Sequence, residues 1–88
     1  METIIVTVTD NKNSFFQDVE VPVDQPVKKL KADLIETLNN YLSTINIPLR
    51  GTALLNNRSR KILKESETLQ DASVWNGDYI TIISRRDY

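Results

Sequence analysis

Only one stretch of this chain is long and periodic enough to fold as a helix, the run from Pro26 to Leu42, PVKKLKADLIETLNNYL. Val27, Leu30, Leu34, Leu38 and Tyr41 recur at the spacing of one helical face, with Lys31, Ile35 and Leu42 on its flanks. Lys28, Lys29, Asp33, Glu36 and Asn40 fall between them as a solvated face. A lone amphipathic helix must lay its apolar stripe on something, and the apolar runs elsewhere are short and rich in β-branched residues. One helix across one face of a small mixed sheet is the simplest solution.

Eighty-eight residues, of which 40% are hydrophobic and 26% charged, suit one soluble globular domain with a single core. The expected domain is the whole chain, 1–88, with 85–88 as a loose tail. The absence of Cys excludes a disulfide framework, a thiolate nucleophile and a Cys-ligated zinc site. The absence of His removes the commonest general base and transition-metal ligand. A net charge of −1 gives no global pull toward nucleic acid or an anionic membrane. No apolar run is long enough to span a bilayer, and the start METIIVTVTD is unlike a signal peptide. The expectation is a cytoplasmic protein, without membrane insertion, that visits the inner face of the membrane if it serves one.

The remaining segments read as strands. In TIIVTVT (3–9), Ile4, Val6 and Val8 face the helix, while Ile5, Thr7 and Thr9 face outward. The polar cluster from Asp10 to Ser14 predicts a hairpin turn into Phe15–Val23. That second strand puts Phe15, Val19, Val21 and Val23 inward, and Pro22 near an edge. Asp24 is the expected N-cap and Pro26 suits the first turn; Pro48 forbids continuation, so the helix should end between Leu42 and Ile45, with Ile47 tucked beneath. Thr52–Asn56 is a third strand, and Asn56-Asn57 a turn tolerant of positive φ. A short piece follows at Ile62-Leu63, then a loop with a helical turn over 65–75, anchored by Leu69 and Val74. Asn76-Gly77-Asp78 makes a tight turn into Tyr79–Ser84, with Ile80 and Ile82 inward and Thr81 and Ile83 outward. The order β-β-α-β-β-β, with the last strand central and parallel to the first, is an α+β, β-grasp sheet.

At this point the chain resembles ubiquitin over nearly its whole length. The resemblance sits in Ile47-Pro48 followed by Leu54-Leu55, and in Thr68-Leu69-Gln70-Asp71 with Val74, Ile80 and Ile82. Gln25-Pro26-Val27-Lys28-Lys29-Leu30 and Asn76-Gly77-Asp78-Tyr79-Ile80 further resemble the YukD/EsaB family, ubiquitin-like accessories of type VII secretion in Gram-positive bacteria. The resemblance implies a non-catalytic, cytoplasmic accessory, without cofactor or metal, that docks on a protein partner such as the membrane ATPase of the secretion machine. Conjugation is not implied, because no diglycine follows Gly77 and the sequence ends at Tyr88. A covalent modifier, or a docking domain of a larger signalling protein, is the alternative.

Ubiquitin recruits partners through an apolar patch on its outer sheet face, and Leu55 and Ile83 match two of its places, with Ile5 adjacent. The functional expectation is a smaller, shifted docking patch; the plain one is scattered surface aliphatics. On that patch reading, substituting Leu55 and Ile83 by Ser should spare the fold. Lys28 and Lys29 sit in the first helical turn, where the macrodipole disfavours cations, which hints at an acidic partner, although exposed lysines are common. Trp75 is either an interface anchor or, more simply, half-buried at the sheet edge. Arg58, Arg60, Lys61 and Lys64 form a basic cluster, but nearby acids dilute it and no aromatic is interleaved, so no nucleic-acid partner is expected. Asp33 with Glu36, or Glu65 with Glu67, lacks the apolar cleft that acid–base work requires, and no enzyme is expected.

Overall fold

Asp10 closes the first hairpin with both of its polar ends. Its carbonyl accepts the Asn13 N–H at 3.1 Å and its carboxylate the Ser14 N–H at 2.7 Å, with Asn13 at φ 54°. The hairpin joins β1 (Thr3–Asp10) to β2 (Phe16–Pro22) in antiparallel register. The structure, a computed structural model, describes residues 2–42 and 46–84. Helix α1 (Val27–Tyr41) follows, then β3 (Thr52–Asn56), β4 (Lys61–Ile62) and β5 (Tyr79–Ser84). The sheet order is β2-β1-β5-β3-β4. The long-range pairing that a β-grasp requires is present, since β1 and β5 run parallel from Thr7↔Tyr79 to Asp10↔Ile82.

The alternation expected for the strands sets the core. Val6, Val8, Val21, Leu54, Ile80 and Ile82 pack with Val27, Leu30, Ile35 and Leu38 of α1, and Leu69 and Val74 anchor the long loop among them. Ile47 is buried beneath the helix end, where the Asn39 amide clasps its backbone. Asn39 Nδ2 donates to the Ile47 carbonyl at 2.9 Å, and Oδ1 accepts its N–H at 2.7 Å.

The helix departs from expectation at both ends. Asp24 does not cap it. Pro26 holds the N-cap position without a side-chain cap bond, and an isolated bridge to Thr68 brings the long loop alongside. The loop's carbonyls take the donors a cap would have taken: Val27 N–H donates to Glu67 O at 2.8 Å and Lys28 N–H to Glu65 O at 3.1 Å. At the other end Tyr41 is 74% exposed, and Leu42, just past the last helical turn, packs on the core instead. The expected stop between Leu42 and Ile45 extends into 43–45, outside the described residues, as the tail 85–88 also is. In the turn after β3 the positive φ falls on Arg60 (58°), not on Asn57, because Arg60 N–H reaches back to the Asn56 carbonyl at 2.8 Å.

Candidate protein-binding site

Asp78 immediately precedes β5 with its side chain turned into the molecule, and it organises the surface around it. Its carboxylate accepts the Arg58 guanidinium through Nε at 3.0 and 3.2 Å and Nη2 at 3.1 Å. It also accepts the Trp75 N–H at 2.9 Å and the amide of fully buried Asn56 at 3.3 Å. Burial alone would raise this carboxyl, but the Arg58 hydrogen bonds, the Trp75 N–H, the Asn56 amide and the Arg58 charge outweigh it and hold the group below its ordinary range. Arg58 Nη2 continues to the Ser73 carbonyl at 2.6 Å, and its Cζ lies 4.0 Å from the centre of the Trp75 ring. Trp75 is thus an exposed aromatic, 60% accessible, under a fixed cation. The half-buried Trp75 expected as the simpler case is corrected. Arg58 likewise leaves the basic cluster, because its donors are committed to Asp78 and Ser73.

The 75–78 turn is stitched to β1. Asn76 Oδ1 accepts the Ile5 N–H at 2.8 Å, and Gly77 N–H donates to the Ile5 carbonyl at 2.7 Å. Gly77 adopts φ 89°, a conformation suited to glycine. Ile5, 50% exposed on the outer sheet face, therefore lies beside the Trp75 turn, and Tyr79, paired with Thr7 on that face, is exposed next to them. Tyr79 was legible from strand parity, which sets it outward with Thr81.

The other expected residues are not gathered here. Leu55 is half-buried on β3, in a cross-strand row with Thr81 and Thr9, four positions along β1 from Ile5. Ile83 faces outward by register, opposite Ala53, but is only 2% exposed. A contiguous Ile5–Leu55–Ile83 patch is therefore not formed. Ile83→Ser should cost about 2–4 kcal/mol of stability, not spare the fold. Lys28 and Lys29 are exposed on the helix, on the opposite side of the sheet. Lys28 lines a groove of about 290 Å³ with Leu49, Arg50 and Glu65. Its neighbour Lys31, expected on the flank of the stripe, is buried and donates to the Thr52 carbonyl and to Glu65 Oε1, both at 2.9 Å.

A five-stranded mixed sheet gripping one helix, with strands β1 and β5 parallel at its centre, defines a ubiquitin-like β-grasp domain. The family model described as "WXG100 protein secretion system (Wss), protein YukD" matches residues 3–82, and the chain belongs to that family. Among solved structures it is similar to the ubiquitin-like domain of the type VII secretion protein EccD1 of Mycobacterium tuberculosis. That match has 22% identity and a TM-score of 0.76, covering 96% of this chain and all of that one (100%). It is also similar to the ubiquitin of Caldiarchaeum subterraneum, at 19% identity and a TM-score of 0.73 over 96% and 95% of the two chains. A chain of the MycP5-free ESX-5 inner membrane complex in State II matches at 19% identity and a TM-score of 0.77, over 93% of this chain and 21% of that one. A search of curated proteins returned no match.

Proposed function

We propose that this chain is a noncovalent protein-binding module, a single ubiquitin-like domain over 1–88, that serves a type VII secretion system from the cytoplasm. In this reading it is recruited to the inner face of the membrane by docking on the machine's ATPase. The observation that carries the binding role is Trp75, an exposed aromatic held by Arg58 on a turn whose Asn76 and Gly77 bond the backbone of exposed Ile5. A rigid aromatic loses little freedom on docking and is the kind of side chain that anchors interfaces. Membership of the YukD family supports the secretion context, as does the likeness to part of an ESX-5 inner membrane complex chain. No helix among the described residues is long and apolar enough to cross a membrane, so recruitment would run through the protein partner. The reading assigns no catalysis. Asp78 is held ionised by fixed partners, the reverse of a poised acid.

A tagged pull-down from detergent-solubilised cells, boiled and run on a denaturing gel, tests this. Recovery of the intact protein with a large membrane ATPase is the expected result. A ladder of heavier, boiling-resistant species would overturn it in favour of covalent conjugation.

A further inference from the structure

On the helix side of the sheet, away from Trp75, the edge strand β2 borders a groove against α1 of about 320 Å³. Val19, Val21, Leu30 and Leu34 give it an apolar floor, with Asp33 and Thr37 on its rim. The Val23 N–H donates to the Glu2 carbonyl at 3.2 Å, which sets the phase of the β1–β2 ladder. Gln17, Val19 and Val21 turn their backbone groups toward β1, and Phe16, Asp18 and Glu20 turn theirs out along the edge. The Gln17 side-chain amide reaching the Asp18 carbonyl at 3.3 Å agrees with that phase. Pro22, with no N–H, ends the open run. An open ladder beside an apolar groove is what an added strand needs: main-chain bonds along the edge and a slot for alternate side chains.

The charge around the groove selects the occupant. Asp18 and Glu20 lie on the strand, Asp24 follows it and Asp33 lines the groove, while no Lys or Arg is among the lining residues described. Lys29 and Glu36 are exposed further round the helix. We propose that β2 takes up an extended segment of a partner protein, alternating aliphatic with Lys or Arg residues, as an added strand whose aliphatic side chains enter the groove between β2 and α1. This surface is separate from the Trp75 surface and does not depend on it.

The test titrates the 15N-labelled protein with a blocked octapeptide of alternating lysine and isoleucine. Shifts centred on Phe16–Pro22 and Leu30–Thr37, with slowed exchange of the Phe16, Asp18 and Glu20 amides, are expected. Binding should weaken about tenfold in the Asp24→Lys/Asp33→Lys variant, whose changes fall on exposed side chains. It should disappear when the peptide is N-methylated at alternate residues, a control that leaves the protein untouched. Equal binding of a glutamate–isoleucine octapeptide, no binding at millimolar peptide, or shifts confined to the Trp75 surface would each overturn the proposal. So would protection of the same amides by self-association, which sedimentation at rising concentration would reveal.

Discussion

The guanidinium of Arg58 lies over the Trp75 ring, its Cζ 4.0 Å from the ring centre, and donates along its edge to the buried carboxylate of Asp78, 3.0 Å from its Nε. One side chain thus fixes an exposed aromatic to the start of the central strand β5. Arg58→Ala should cost about 1–3 kcal/mol, the loss of charged hydrogen bonds and the ring contact offset by the partners Asp78 retains. Arg58→Lys should recover less than half of it, because an ammonium cannot reproduce the fork. Urea unfolding measures the cost. Emission from Trp75, the only tryptophan, should shift to the red in both variants.

The same carboxylate sets an acid limit. Its folded-state value lies below the ordinary 3.8, so the native state favours the ionised form. The stabilisation is fully present above that ordinary value and is lost as pH falls through the lower folded one. Asp78→Asn should therefore lower stability at neutral pH, with the gap to the parent narrowing as pH drops below about 4. Urea unfolding from pH 7 down to pH 2 reads this directly; a constant gap would contradict it.

Asp24 occupies the sequence position of a cap without capping. Asp24→Ala should change stability by less than about 0.5 kcal/mol, where a working N-cap would cost near 1 kcal/mol. Thermal unfolding distinguishes the two.

Lys31 ties α1 to β3 and to the loop that closes the helix entrance. Lys31→Ala should cost about 2–3 kcal/mol, from the stranded Thr52 carbonyl and the emptied space. Because Glu65 also accepts the Lys28 N–H through its carbonyl, amide exchange at Val27 and Lys28 should accelerate before the sheet opens. Exchange unchanged at those amides would mean that the loop is held independently of Lys31.

Strand parity made most of this fold legible: Val6, Val8, Ile80 and Ile82 are core on the inward parity that their spacing gives them. What escaped was set by partners distant in sequence. The helix entrance is closed by carbonyls about forty residues on, at Glu65 and Glu67, so the local cap signal at Asp24 was misleading. Trp75 stands in a polar stretch with no periodicity, and the cation on its ring is Arg58, brought there by the β3–β4 turn. Parity places Ile83 on the outer face, but alternation gives direction and not accessibility, and its 2% exposure cannot be read from spacing. Spacing sets Lys31 on the flank of the stripe, yet its ammonium is buried because the Thr52 carbonyl and the Glu65 carboxylate accept it there.

Noncovalent docking through the Trp75 surface is tested by repeating the detergent pull-down with an Ile5→Ser/Trp75→Ala variant whose fold is checked by circular dichroism. Both side chains are largely exposed, so the variant should remain folded, while recovery of the membrane partner should fall by about tenfold or more. Undiminished recovery by a folded variant would mean that the partner docks elsewhere.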